Sequence, residues 1–318
     1  MQEDIKTAAV IGCGVIGASW ACLFLSRGLN VIIFDPAEGA QESFKKYLQD
    51  AWPAWKACMP DLEDTWAQKY TFVDDLESSL GEVDFVQENG PERPEFKQEL
   101  IAKLDRYTRP SIVISSSTSG LPASGFIKLC SKDPSRILVG HPFNPPHLVP
   151  LVEVVPHPGT STSAIDTAMG FYKSLGKSPI LLRREVPGFV ANRLQAAINN
   201  EAYSLVSRGI VSAEDLDTAV TSGPGLRWAF TGPFVTNSLG GGGGPNGFTQ
   251  RLDRLGPAIR GWEEDMLEHR FDWSEEKLSV LIKEASKWLE FIDWDVVTAR
   301  RDRLLLQFLR AKSRDSSV

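Results

Sequence analysis

The chain has 318 residues, 42% hydrophobic and 24% charged, the balance of an ordinary globular protein with room for two domains or one large one. Its net charge of −7 is spread along the chain and argues against nucleic acid, which is held by basic faces. Four cysteines, Cys13, Cys22, Cys58 and Cys130, show no CxxC spacing, which leaves neither a disulfide frame nor a zinc site and reads as reduced thiols.

The first element is the run Ala8-Ala9-Val10-Ile11, which leads straight into Gly12-Cys13-Gly14-Val15-Ile16-Gly17. An apolar helical segment follows, then the short run Val31-Ile32-Ile33-Phe34 and Asp35. This is a dinucleotide fingerprint in strand–turn–helix context. Gly12 allows the tight turn, Gly14 lets backbone approach a pyrophosphate, and Gly17 lets the helix pack close to the sheet. The N–H groups at Val15 and Ile16 open the helix, where free donors and the helix dipole favour phosphate. Asp35 stands at the end of the second strand, placed to accept from a ribose 2′-hydroxyl and to repel a 2′-phosphate, so the expected cofactor is NAD.

Further strands are expected at 83–88, 111–116, 137–141, 149–155 and 178–184, after 7–12 and 30–34. Their alternation with helical stretches predicts a mostly parallel sheet covered on both faces. Residues 41–70, with Trp52, Trp55 and Trp66, read as a helical excursion in which the indoles pack rather than stack on a ligand. The pattern changes near Arg184-Glu185-Val186-Pro187-Gly188. Phe189, Val190, Leu194, Ala197, Ile198, Ala202 and Leu205 then recur at helical spacing, with Gly209 as a stop. Helices are expected from Ser212, from Asp272-Trp273-Ser274-Glu275, and from Val297 to Leu309, and the run Gly240 to Gly244 reads as a flexible loop between helices. The expected architecture is α/β, a Rossmann-type doubly wound sheet over 1–185 followed by an all-α domain over 186–318.

Chemistry-bearing residues gather at expected strand ends. Ser115-Ser116-Ser117-Thr118-Ser119-Gly120 follows one strand, His141-Pro142-Phe143-Asn144 another, and Asn192 opens the long helix. Open α/β sheets place ligands beyond these carboxyl ends. Glu153 interrupts the apolar run Leu151-Val152-Glu153-Val154-Val155, where burial is costly unless something pairs with it. A histidine is the obvious partner, and a carboxylate-oriented imidazole is a general base. Each residue also has a plainer reading: His141 as a loop histidine satisfied by backbone, Ser119 as turn chemistry, Asn192 as an exposed helical position. His147, His157 and His269 read as structural, and nothing calls for a metal.

These segments, in order, resemble the 3-hydroxyacyl-CoA dehydrogenase superfamily over essentially the whole chain. The matching stretches are Ser117–Leu121, His141–Pro145, Leu151–Val155 and Pro187–Arg193. The resemblance implies His141 as base, Glu153 as its orienting partner, and Ser119 and Asn192 as holders of the substrate oxygen. It also implies that Glu92 and Lys97, in and beyond Glu88-Asn89-Gly90-Pro91-Glu92, contact the nicotinamide side of NAD. In the second domain, Gly225-Leu226-Arg227-Trp228-Ala229-Phe230 and Gly232-Pro233-Phe234 resemble the branch that holds lambda-crystallin (L-gulonate 3-dehydrogenase) and the carnitine 3-dehydrogenases.

Arg227 has a planar fork suited to a carboxylate, although an arginine snorkelling from a helix surface has the same sequence signature. The expected substrate is therefore a small free 3-hydroxy acid, with L-gulonate first. L-Carnitine is second, its trimethylammonium caged by Trp228, Phe230 and Phe234 if these are not core. A 3-hydroxyacyl-CoA is a further alternative, and a crystallin-like structural role with bound NADH a non-enzymatic one. Asn192 favours the gulonate side, and Asn237-Ser238 depart from both branches. The family's helical domain usually mediates dimerisation, so a homodimer is expected, with no membrane or nucleic-acid partner. The acidic start Met1-Gln2-Glu3-Asp4 is unlike a leader, the end Arg314–Val318 is no peroxisomal address, and the apolar runs are too short for a bilayer, so the cytoplasm is the expected location.

Overall fold

The computed structural model describes residues 5–58 and 66–314; the expectations for the two chain ends, and for the Trp55 side chain, fall outside what it describes. The chain folds into two compact units, one formed by residues up to Arg193 with those from Arg300 onward, the other by Leu194–Ala299. The division expected at 185/186 lies a few residues before Arg193, and the last helix, Trp294–Arg314, passes from the second unit into the first at Arg300.

The first unit is built on eight strands: β1 (Thr7–Ile11), β2 (Asn30–Phe34), β3 (Tyr70–Phe72), β4 (Phe85–Glu88), β5 (Val113–Ser116), β6 (Ile137–Pro142), β7 (Leu151–Pro156) and β8 (Ser178–Leu181). Their order in the sheet is β3-β2-β1-β4-β5-β6-β7-β8, all parallel except the antiparallel pair β6–β7. The order reverses between β2 and β4 around β1, the switch point at which such sheets open a crevice. All seven expected strands form. β3 was not expected: three residues at the sheet edge behind a tryptophan-rich helix carry little period-2 signal. β4 starts two residues later than expected, because Asp84 turns back to accept the N–H groups of Lys6 and Thr7 at 3.0 and 2.9 Å.

Strand alternation produces two cores. Ala8 and Val10 face one side with helices α1 (Val15–Ser26), α2 (Ala40–Cys58) and, further along the chain, a helix over Thr162–Ser174. Ala9 and Ile11 face the other with Leu76, Ile101 and Phe126. Each fully buried aliphatic side chain there contributes about 1.5–3 kcal/mol. Trp52 lies in the first core, its ring 6.0 Å from that of Trp66, so these indoles pack rather than wait for a ligand.

Two local expectations are corrected. Phe189 and Val190 are not helical; the long helix spans Ala191–Ser207, and Gly188 and Phe189 before it take φ of 73° and 52°. A phenylalanine in that region costs of order 1–3 kcal/mol and is held by its own complete burial against the site. The five-glycine run is not a loose linker. Gly240 ends the helix Pro233–Gly240, and the next helix starts at Gly247. A Cβ on Gly241 would stand 1.8 Å from Gly247 O, so the two helices meet backbone to backbone and only glycine fits.

In the second unit the expected helices form over Ala213–Ser222 and Glu275–Leu289, with Ser212 capping the first through Asp215 N–H. Among the described residues, its buried hydrophobics are Val206 and Phe271, whereas Phe234, Leu267 and Phe291 are 73%, 73% and 85% exposed. Trp228 and Phe230 are exposed as well, so they are not the core residues that their composition favoured. No helix among the described residues is long and apolar enough to cross a membrane.

Candidate active site

The fingerprint folds as its glycines demand. Gly12 takes φ of 84°, and a Cβ there would meet Asn89 O at 2.8 Å; a Cβ on Gly17 would meet Gly12 O at 1.9 Å. Gly14 is different, because a Cβ on it would meet nothing within 4 Å. The space beside it adjoins the start of α1, whose N-cap is Gly14 itself with no side-chain cap. An uncapped helix start beside open backbone fits a pyrophosphate. Val15 and Ile16, partly to largely exposed, open that first turn. Asp35 is pinned by Cys13 N–H at 2.6 Å and Ala37 N–H at 2.9 Å, and it borders a cleft of about 290 Å³ shared with Phe34, Ala37 and Asp74. These residues fit a dinucleotide, for which Asp35 would accept from a ribose hydroxyl.

His141 and Glu153 face each other in the antiparallel β6–β7 register. The imidazole Nδ1 lies 2.8 Å from Glu153 Oε2, and both residues are buried. Glu153 Oε1 accepts from the main-chain N–H of Val190 at 2.8 Å and Ala191 at 3.0 Å. Burial alone would raise the carboxyl of Glu153, but the bonds from His141, Ala191 and Val190 outweigh it and hold the group below its usual range. The acid therefore stays ionised. With Nδ1–H donating to it, Nε2 is the lone pair left for chemistry. Phe143 and Phe189 wall the ring at centroid distances of 5.2 and 5.5 Å.

Ser119 and Asn192 are joined to the same framework. Asn192 follows directly after the amides gripped by Glu153, and its Nδ2 donates to Ser119 O at 2.6 Å. The Ser119 N–H donates to Glu92 Oε1 at 2.9 Å, and the Thr118 hydroxyl donates to the same oxygen. Hydrogen bonds join His141 to Glu153 and Glu153 to the Val190 and Ala191 amides, and from Asn192, next in the chain, they run on to Ser119 and Glu92. Lys97 has surroundings that its sequence context does not foretell. Its ammonium is 1% exposed and bonded to both oxygens of buried Glu88 at 2.9 and 3.0 Å and to Gly90 O, with Glu92 Oε2 at 3.6 Å. Lys97 is thus enclosed by Glu88, Gly90 and Glu92.

Glu88 itself was given no role by sequence reasoning; it ends β4, whereas Glu153 interrupts the apolar run of β7. Gln87 and Tyr172 were missed too, and with Ser115 and Ser117 of the serine run they form a largely buried network. Tyr172 OH lies 2.7 Å from Ser115 Oγ and from Gln87 Oε1, and Gln87 Nε2 lies 2.8 Å from Ser117 Oγ. Of the histidines expected to be structural, His147 sits between Ser19 Oγ and Tyr47 OH, with burial pushing it down to about 4. His157 Nε2 meets Pro134 O, and His269 Nδ1 meets Asp265 O in the preceding turn. In the second unit, Arg227 borders a cleft of about 410 Å³ with Phe230, Thr231, Thr236 and Leu239. No group of three His, Cys, Asp or Glu suited to a metal occurs among the described residues.

Residues 7–186 match the 3-hydroxyacyl-CoA dehydrogenase NAD binding domain, and residues 188–275 match the C-terminal domain of the same family. A protein of Gibberella moniliformis named 3-hydroxyacyl-CoA dehydrogenase is 62% identical over 100% of this chain and 98% of its own. An L-carnitine dehydrogenase of Streptomyces coelicolor is 39% identical over 98% of this chain and 96% of its own. Among solved structures, an NAD⁺-dependent dismutase, 5-formyl-3-hydroxy-2-methylpyridine 4-carboxylic acid 5-dehydrogenase, superposes with a TM-score of 0.76 at 28% identity, covering 97% of this chain and 98% of that one. The chain belongs to the 3-hydroxyacyl-CoA dehydrogenase family and is an NAD-dependent oxidoreductase of that family.

Proposed function

We propose that the protein oxidises the 3-hydroxyl of a small free 3-hydroxy acid, with His141 as general base. The observation that carries this is the buried His141–Glu153 pair, with its acid held ionised and its Nε2 left open. In this reading Ser119 and Asn192 hold the substrate oxygen. His141 Nε2 takes the hydroxyl proton as the C3 hydrogen leaves with its electron pair, and Glu153 stabilises the imidazolium. Bound NAD⁺ would supply the hydride acceptor, and the products would be a 3-oxo acid, NADH and a proton. Gly12, Gly14, Gly17 and Asp35 hold the cofactor, and Glu92 lies toward its nicotinamide side.

Arg227 is the proposed carboxylate clamp, supported by its place in a cleft walled by Phe230 and Leu239. Between the two free acids, relatives named L-carnitine dehydrogenase support carnitine ahead of the gulonate that the sequence motifs favoured. The exposed rings of Trp228, Phe230 and Phe234 support it as well, being available for a quaternary ammonium. The 62% identical relative supports a second reading, a 3-hydroxyacyl-CoA as substrate. Exposed apolar side chains such as Leu267 and Phe291 support a homodimer through the helical unit, and sedimentation of the pure protein tests it. Cytoplasmic placement remains part of the reading.

The deciding experiment is initial-rate NAD⁺ reduction with L-carnitine, L-gulonate, 3-hydroxybutyrate and 3-hydroxybutyryl-CoA side by side. Turnover of a free acid with the thioester idle is expected. Preference for the thioester overturns the substrate assignment, and tight NADH binding with no turnover of any of the four revives a structural role.

A further inference from the structure

Lys177 lies just before β8 and is 8% exposed, yet none of the roles above involves it. Among the described residues it makes no ion pair. Its ammonium donates instead to two main-chain oxygens, Pro146 O and Val149 O, and sits over the Trp20 ring at 5.4 Å from the centroid. Burying a cation against neutral partners is costly, and the burial pushes this lysine down to about 7. A methionine of similar length would fill the same space without that cost.

What the ammonium does is visible in its partners. Pro146 and Val149 belong to the connection from β6 to β7, the strands that carry His141 and Glu153. Such a connection has no ladder to satisfy its carbonyls, and buried ones need donors. The same connection begins with Phe143, whose ring meets that of His141. It is fixed a second time at His147, whose N–H and Nδ1 both meet Ser19 Oγ of α1. Trp20, on the next position of α1, donates from Nε1 to Ser117 Oγ at 3.1 Å, two residues before Ser119. Lys177 and Trp20 therefore stand between the segment after His141 and the segment that carries Ser119.

We propose that Lys177 is a positioning residue: its ammonium braces the 143–150 connection against Trp20 of α1, and so keeps Phe143 on the His141 imidazole and Ser117 under the Ser119 turn. The proposal rests on the reading of His141 as the base, and its test separates the two.

The test compares wild type, Lys177→Met and Lys177→Arg, which retains charge and donors. Amide hydrogen exchange is read across 143–150, the His141 imidazole is followed by NMR titration, and kcat is separated from the Kd for NADH. In Lys177→Met, exchange in 143–150 rises about tenfold or more while β1 and β5 stay protected, the His141 titration moves, and kcat falls about tenfold with NADH affinity kept. Lys177→Arg restores much of each. A loosened connection with His141 and kcat unchanged overturns the proposal, as does unchanged exchange. If the wild type turns over no 3-hydroxy acid, the functional reading fails, and the exchange and imidazole measurements still decide the brace. If Lys177→Met does not fold, ¹⁵N-lysine spectra of the wild type decide: slowly exchanging Nζ hydrogens coupled to the Pro146 and Val149 carbonyls are required, and a rapidly exchanging ammonium overturns the proposal.

Discussion

His141 and Glu153 are cross-strand partners, so the backbone ladder of β6 and β7 itself sets the 2.8 Å contact between imidazole and carboxylate. Glu153→Gln tests the pair without emptying its space. Its amide oxygen still reaches Val190 and Ala191, but its NH₂ group faces Nδ1 and favours the wrong tautomer. The expected result is a fall in kcat of about 10²–10⁴ with NADH affinity unchanged; His141→Gln should do the same, and steady-state rates with a fluorescence titration check both.

Gly14 and Gly17 have opposite surroundings, which separates binding from folding. Gly14→Ala adds a methyl into open space at an allowed φ of −65°, so thermal stability should hold while NADH binding weakens at least about tenfold. Gly17→Ala puts Cβ 1.9 Å from Gly12 O, so it should lower the melting temperature as well. Loss of stability in Gly14→Ala would remove that glycine from the phosphate cradle.

The Glu88–Lys97 pair is buried on both sides, at 0% and 1% exposure. Lys97→Met leaves an unpaired carboxylate in the interior and should cost about 3–5 kcal/mol in urea unfolding. Adding Glu88→Gln should recover part of that loss, because the two residues act as one unit.

His147 is pushed down from 6.5 to about 4, with burial the largest cause. The folded protein therefore takes up its proton later than the unfolded chain does. This contribution is present in full above pH 6.5 and is lost as pH falls toward 4, at most about 1.4 kcal/mol per pH unit. Lys177, lowered to about 7, has the same sign at higher pH: its cost is relieved as pH rises from 7 toward 10.5. Melting temperatures of wild type and His147→Gln across pH 4 to 7 check the acid limb, which should flatten in the variant.

Arg227→Leu removes the proposed clamp. With no cation for the carboxylate, KM for a free acid should rise by about 10²-fold, while KM for NAD⁺ stays put. An unchanged KM would place the clamp elsewhere.

The fingerprint, the alternation of strands and helices, and the histidine with its acid were legible in the sequence because each is a local pattern. Gly12 to Asp35 spans one strand–helix–strand unit, and an acid in an apolar strand announces a partner wherever that partner lies. Contacts between distant segments were not legible. Nothing local says that β6 and β7 run antiparallel, that Lys97 closes on Glu88, or that Gly241 meets Gly247. Nor does it say that Lys177 directs its charge at the carbonyls of Pro146 and Val149. Sequence patterns record which faces are apolar and where the backbone turns. The pairing of a buried charge depends on which segments the sheet brings together, and only the tertiary structure decides that.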